Sequence, residues 1–337
     1  MDRHLLGRLH MHNSVVEKNG ARPVCGETRP MSVRIVLVAA ALVSSAASAQ
    51  MLNDQGPPQH RVVHRNTFAL RYNPLGLLYD GRFMYRLRLY QAESKVLRDN
   101  YVGIGVAPTF SPAFMRIGPY VEFNPLTMFG VWAMVQFVQY FGSFDLAQGF
   151  AGAQSDFSDK AIKANTANHV ATNGYEVTLG ANLQAKVAMF IIRSQARLVF
   201  GHLKLKDGER IYYDQFYDIG APNQGWTFVN DLDVLYQGLE NKLVAGARYT
   251  ATAPLYDPTR HLEPGATGTS DNSMHRVGPF VGYTFKIEDG AKFNNPTVFI
   301  LVQWWLKHRF RTGVDTSQAL PLLGVGFQMT GDFLPLK

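Results

Sequence analysis

From Thr67 to the C-terminus, apolar and polar side chains alternate with a period of two rather than 3.6. Phe83, Tyr85, Leu87 and Leu89 alternate with Arg82, Met84, Arg86 and Arg88. Tyr175, Val177, Leu179 and Leu183 alternate with Glu176, Thr178, Asn182 and Gln184. Val298, Ile300, Val302 and Trp304 alternate with Thr297, Phe299, Leu301, Gln303 and Trp305. Such segments run to about 10–15 residues, against about 5–6 for ordinary soluble strands. Long strands with one apolar face and aromatics near their ends are the pattern of an outer-membrane β-barrel. A closed barrel is also one of two ways to satisfy every backbone polar group in lipid. A secreted β-sandwich alternates too, but strand length and an export signal favour the barrel.

The pattern predicts an all-β fold, a transmembrane antiparallel up-and-down barrel of about twelve strands, with fourteen as the alternative. The strands fall at 67–79, 82–91, 101–110, 115–124, 128–141, 174–186, 190–205, 226–237, 242–252, 275–287, 296–308 and 321–333. With the N-terminus in the periplasm, the long connections 142–173, 206–225, 253–274 and 309–320 all face outward. The inward connections 124–127, 238–241 and 288–291 are short, as such barrels require. Residues Ile211 to Asp218 compete for a thirteenth strand, which would reverse the parity of everything after it; they read as a Tyr- and Asp-rich external loop. Asp80-Gly81 is a type I′ hairpin signal joining the first two strands.

The front of the chain has another character. Met31 and Arg34 precede nine apolar residues, Ile35 to Val43, and small residues ending in Ala47-Ser48-Ala49. That is a secretory signal peptide, 31–49, with cleavage before Gln50. Residues 1–30 read as an upstream over-extension of the frame, 50–66 as a periplasmic lead-in containing Gly56-Pro57-Pro58, and 67–337 as the barrel. The expected location is the bacterial outer membrane, reached by export.

The single cysteine, Cys25, lies in the leader, so the processed chain has no disulfide, thiolate nucleophile or thiolate metal site. Charged residues make up 18% of the chain, low for a soluble globule. Without residues 1–49 it holds 27 Lys and Arg against 23 Asp and Glu, a weak +4 that argues against nucleic acid.

Alternation assigns each side chain to lipid or lumen. Twelve cations fall on the lumen side: Arg71, Arg82, Arg86, Arg88, Arg116, Lys186, Arg193, Arg197, Arg248, Arg276, Lys286 and Lys307. Four anions face them: Glu122, Glu176, Asp231 and Asp233. A hairpin at Asp80-Gly81 sets Asn73 opposite Arg88 and Leu75 opposite Arg86, gathering Arg71, Arg86 and Arg88 at mid-height. The opposite wall of a twelve-strand barrel carries Arg193, Arg197, Asp231 and Asp233, and a field across a wet pore follows. The candidate channel-lining residues are therefore Arg71, Arg86, Arg88, Arg193, Arg197, Arg248, Asp231 and Asp233. The alternative is that these charges pair and fill a narrow closed lumen.

No catalytic, metal or cofactor residue is assigned. Outer-membrane phospholipases carry His-x-Ser-Asn-Gly; Asn168 to Gly174 has the His and the Asn-Gly but no Ser two residues on. The only His-x-Ser is His12-Asn13-Ser14, in the leader. The remaining histidines show no metal-ligand spacing.

Two runs carry a resemblance: Trp304-Trp305-Leu306-Lys307-His308-Arg309-Phe310-Arg311-Thr312-Gly313 with Ser317 to Pro321, and Trp226 to Asp233. With them the chain resembles predicted Gram-negative outer-membrane β-barrel proteins of unassigned function. The resemblance implies a barrel and supplies no catalytic residue. Trp304 and Trp305 fit an aromatic girdle. The last strand, ending near Phe333, resembles the signal read by the barrel-assembly machinery, although Leu334 to Lys337 displace its terminal Phe.

The expected function is a small anion-preferring diffusion channel with a basic lumen. The alternative is a structural or surface-interaction barrel acting through its external loops; an outer-membrane lipid hydrolase is the third reading. Expected partners are outer-membrane lipid and lipopolysaccharide, the barrel-assembly machinery, and small anionic or zwitterionic solutes.

Overall fold

A computed structural model describes residues 58–334, apart from 267, 269, 270 and 288–290. The leader, its cleavage site and most of the lead-in lie outside these residues. The wall strands are β1 (His60–Tyr72), β2 (Gly76–Arg88), β3 (Tyr101–Val106) with β4 (Thr109–Phe110), and β5 (Phe114–Ile117) with β6 (Pro119–Leu126). Then come β7 (Phe129–Phe141), β9 (Ala171–Val187), β10 (Phe190–Leu203), β13 (Gly225–Gly238), β14 (Leu243–Leu255), β15 (Met274–Thr284), β16 (Asn294–Lys307) and β17 (Leu322–Asp332). Three short strands stand apart from the wall: β8 (Gly149–Phe150), β11 (Ile211–Asp214) and β12 (Ile219–Pro222). Two short helices, α1 (Asp159–Ala164) and α2 (Pro258–His261), lie in connections.

β3 and β4 form one wall position, and β5 and β6 another. Each is interrupted where Ala107-Pro108 meets Gly118, the Ala107 N–H donating to the Gly118 carbonyl at 3.0 Å. Proline has no N–H for the ladder, so the break falls there. Twelve positions result, every neighbour antiparallel, and β1 closes on β17 from Val63–Asp332 to Tyr72–Leu323. Closure removes all sheet edges. Ile211–Asp214 does form a strand, but it pairs with β8 and β12 and not with the wall, so the twelve-strand parity stands. The connections 142–170, 204–224, 256–273 and 308–321 share one end, the loop end. The other end carries the short connections and both ends of the barrel chain. Its 89–100 connection is longer than the pattern suggested, and is folded around Asn100, whose side chain accepts from the Leu89 and Tyr90 amides at 3.0 and 2.9 Å.

The outward faces form an apolar belt. Phe68, Leu70, Ile104, Phe123, Val135, Leu183, Ile192, Val234, Ile300 and Val325 are all exposed, Ile104 at 61%. Exposed apolar surface on this scale marks a face made for something other than water. Trp304 and Trp305 split by alternation: Trp304 faces out, whereas Trp305 points inward at 2% exposure and packs on His308. Only the first can belong to a girdle.

The first hairpin corrects the sequence reading. The chain turns at Asn73-Pro74-Leu75, with Asn73 at φ 59°, and β1 begins at His60, inside the presumed lead-in. Asn tolerates the left-handed conformation and Pro ends the ladder, so this pair turns as well as Asp-Gly does. Asp80 and Gly81 instead sit within β2, with Thr109 Oγ1 donating to Asp80 Oδ1 at 3.1 Å and the Gly81 N–H donating to the Pro108 carbonyl at 2.8 Å. Arg86 therefore faces Arg61, and Arg71 faces Gly76. Arg71 lies at the loop end, Arg86 and Arg88 at the other, and the mid-height cluster does not exist.

Candidate pore lumen

The lumen has three levels. The loop end is filled by the hairpin β11–β12. Ile211 is 0% exposed and Ile219 1%, with Tyr212, Tyr213, Tyr217 and Ala221 also buried. They pack with Phe157, Phe310 and inward wall residues such as Leu78 and Trp305 in one apolar cluster. Removing side chains of this size from water contributes about 1.5–3 kcal/mol each. The Tyr- and Asp-rich segment expected as an external loop is thus a plug. Its tip is shaped by Asp214, whose Oδ1 accepts from the Phe216 and Tyr217 amides at 2.7 and 3.2 Å.

Polar groups latch the plug. Arg311, from the 308–321 loop, donates to Asp218 Oδ2 at 2.5 Å and Oδ1 at 3.0 Å. It also donates to both Asp159 oxygens at 3.1 and 3.0 Å, and the Tyr213 hydroxyl donates to Asp218 Oδ1 at 2.8 Å. Arg71 donates to the carbonyls of Gln215 and Phe216 at the plug tip and to that of Pro74. Burial alone would raise the Asp218 carboxyl, but Arg311 and His308 outweigh it and hold the group well below the ordinary carboxylate range.

The middle level is a band of buried ion pairs. Asp233, fully buried, sits between Arg193 and Arg248, whose Nε atoms donate to it at 2.9 and 2.7 Å. Register causes this, because both arginines stand directly opposite Asp233 on the flanking strands. Arg197 pairs with Asp231, which also accepts from Thr250 Oγ1 at 2.7 Å. Arg116 lies 2.8 Å from Glu176 and 3.6 Å from Asp214 of the plug. Asp231 and Asp233 are each neutralised by their neighbours, so the field expected across the pore from Arg86 and Arg88 has no charged far wall. Arg71, Arg248 and Asp233 are packed away from the open space.

Below this band lies a vestibule of about 380 Å³, open at the end opposite the loops. Seven cations line it, Arg61, Arg65, Arg82, Arg86, Lys186, Arg193 and Arg197, against the carboxylates Asp99, Glu122 and Asp332. Of the eight sequence candidates, Arg86, Arg193 and Arg197 reach this space. One wall is aromatic: the Arg82 guanidinium lies 4.7 Å from the Tyr120 ring and 5.0 Å from Trp132, and Arg86 4.1 Å from Tyr101. At the mouth, burial raises the Asp99 carboxyl above its ordinary range, although Arg86 and Arg61 pull the other way. A smaller cavity of about 60 Å³ continues upward and ends against Phe216 and Tyr217 of the plug.

Sequence reasoning missed Arg61, Arg65, Asp80, Asp99 and Asp332 here, and Asp218 with Arg311 in the latch. A signal existed: Arg61, Val63, Arg65, Thr67, Ala69 and Arg71 are spaced by two. It was masked because His64 and Asn66 are polar on the opposite face, where they bond to each other at 2.7 Å. Among the described residues, no group of three or more His, Cys, Asp or Glu could hold a metal ion.

No family model matches the chain, and no match was found among curated proteins. Among solved structures it is similar to a KdgM porin at 10% identity, covering 79% of this chain and 98% of that one, with a TM-score of 0.34. It is also similar to OccAB1 of Acinetobacter baumannii at 7% identity, covering 86% and 98%, with a TM-score of 0.37. A third is the translocator domain of the autotransporter NalP from Neisseria meningitidis, at 10% identity, covering 81% and 87%, with a TM-score of 0.36.

Proposed function

We propose that this chain is a diffusion channel of the Gram-negative outer membrane, exported by the signal at 31–49, that admits small anionic or zwitterionic solutes. The observation that carries the reading is the vestibule: a polar space of about 380 Å³ lined by seven cations and three carboxylates, in which Arg193 and Arg197 are paired with Asp233 and Asp231 of the buried band, so that the positive excess rests on Arg65, Arg82 and Lys186. Charges of one sign in a low-dielectric recess raise the local concentration of the opposite ion. The apolar belt suits a bilayer, with the short connections and the vestibule on the periplasmic side and the long loops outside. Lipopolysaccharide around those loops and the barrel-assembly machinery are the partners this placement implies.

Passage requires the β11–β12 hairpin to leave the lumen, so the arrangement described is a closed state. The buried latch also favours a second reading, a permanently sealed barrel that acts through its loop surface. Planar-bilayer recording separates the two. Wild-type protein should show brief anion-selective openings. Replacing residues 212–220 by a short Gly-Ser link should give a larger steady conductance. A silent bilayer with the shortened protein removes the channel reading and leaves the sealed barrel.

A further inference from the structure

Arg61, Arg193, Arg197 and Arg248 each hold a carboxylate in a direct hydrogen bond, whereas the half-buried Arg65 and Arg82 hold none. They face each other directly across the β1–β2 ladder. Like charges so placed repel, at a cost to the sheet. They share one carboxylate, Asp80, at 3.8 and 3.9 Å, beyond hydrogen-bond reach. Asp80 is already engaged by Thr109 at 3.1 Å. The Nε atoms of both arginines are buried without an acceptor. Both side chains line the vestibule and also the smaller cavity above it, so they stand at the neck between the two. The Arg82 guanidinium lies 4.7 Å from the Tyr120 ring centre and 5.0 Å from that of Trp132, two aromatic rings that confine it at the neck.

We infer that Arg65 and Arg82 form a binding site for a small oxyanion, a carboxylate or phosphate group, at the vestibule neck. Two guanidinium forks on adjacent strands match such a group through paired N–H donors. One bridging anion would turn the Arg65–Arg82 repulsion into attraction and satisfy the Nε donors. The site deepens the channel reading, naming the solute chemistry that the vestibule would select. It is testable without conduction.

The experiment is calorimetric titration of the folded full barrel in detergent, at constant ionic strength, with inorganic phosphate in one arm and acetate in the other. Wild type should bind in one saturable step, and the arm that binds more tightly tells phosphate from carboxylate recognition. Arg82→Gln should weaken binding about tenfold or more, the range for a charged hydrogen bond. Asp80→Asn should tighten it, because the competing carboxylate is gone. This second variant keeps the idea open to refutation even if Arg82→Gln misfolds. Absence of saturable binding in both wild type and Asp80→Asn, or movement of both variants in the same direction, would overturn the site. Binding in a protein that never conducts would instead keep the site and remove the channel.

Discussion

Asp218→Asn should unseat the plug. The substitution keeps the side-chain shape and deletes the charge that Arg311 grips through two nitrogens. Removing one partner of a buried ion pair costs about 3–5 kcal/mol. Arg311 keeps Asp159, itself 40% exposed, so the lower end, about 3 kcal/mol, is the figure to use. Both partners lie in loops, so the loss falls on hairpin seating rather than on the wall. At about 1.4 kcal/mol per factor of ten, the open fraction should rise about a hundredfold. Ala221→Cys, at a buried position of β12, provides the readout. When reclosing is fast, maleimide reacts in proportion to the open fraction, so adding Asp218→Asn should speed labelling by about two orders of magnitude. Unchanged labelling in a barrel that keeps its β-sheet circular dichroism would refute the latch. The same carboxyl sets a pH rule. Its folded pKa is depressed, so the latch contributes stability throughout the range above the ordinary value of 3.8 and loses it only as pH falls through the lower folded value. Between pH 5 and 8, Asp218 should not gate the plug.

Three further outcomes follow from the same geometry. Asp99 at the vestibule mouth has a raised carboxyl pKa, so on acidification it loses its charge before ordinary carboxylates do, and anion selectivity should strengthen; reversal potentials in a salt gradient at pH 7 and pH 5 measure this, and Asp99→Asn should abolish the change. Ile300→Arg, on the outward face at 49% exposure, should destabilise the barrel by about 2–4 kcal/mol if it lies at the bilayer midplane, read by urea unfolding in lipid, whereas a small effect would place the belt elsewhere. Trypsin added to intact cells should cut after the exposed Lys204 or Lys206 and spare Arg210, half-buried beside the plug; cleavage confined to the 239–242 turn would invert the proposed orientation.

Strand count, strand length and loop parity were legible in the chain because they are local: side chains two apart share a face whatever lies around them. Twelve wall strands and the four long loops at one end follow from that period alone, and most strand limits agree within three residues. The adjacency of Arg193 and Arg197 to Asp231 and Asp233 was legible from strand order, since β10 and β13 are consecutive wall strands even though the long 204–224 connection joins them. Three things were decided only in three dimensions. Asn73-Pro74 and Asp80-Gly81 are both competent turns, and the choice between them moves Arg71 and Arg86 to opposite ends of the barrel; ring closure of β1 on β17 accompanies the first. Ile211 to Pro222 has the composition of a strand or a surface loop, and only a closed wall supplies the apolar cavity that buries it. Arg311 and Asp218 are 93 residues apart, and no periodicity links them; two loops must fold into one mouth before their charges can meet. Period is a property of the chain, whereas pairing across a lumen exists only once the lumen does.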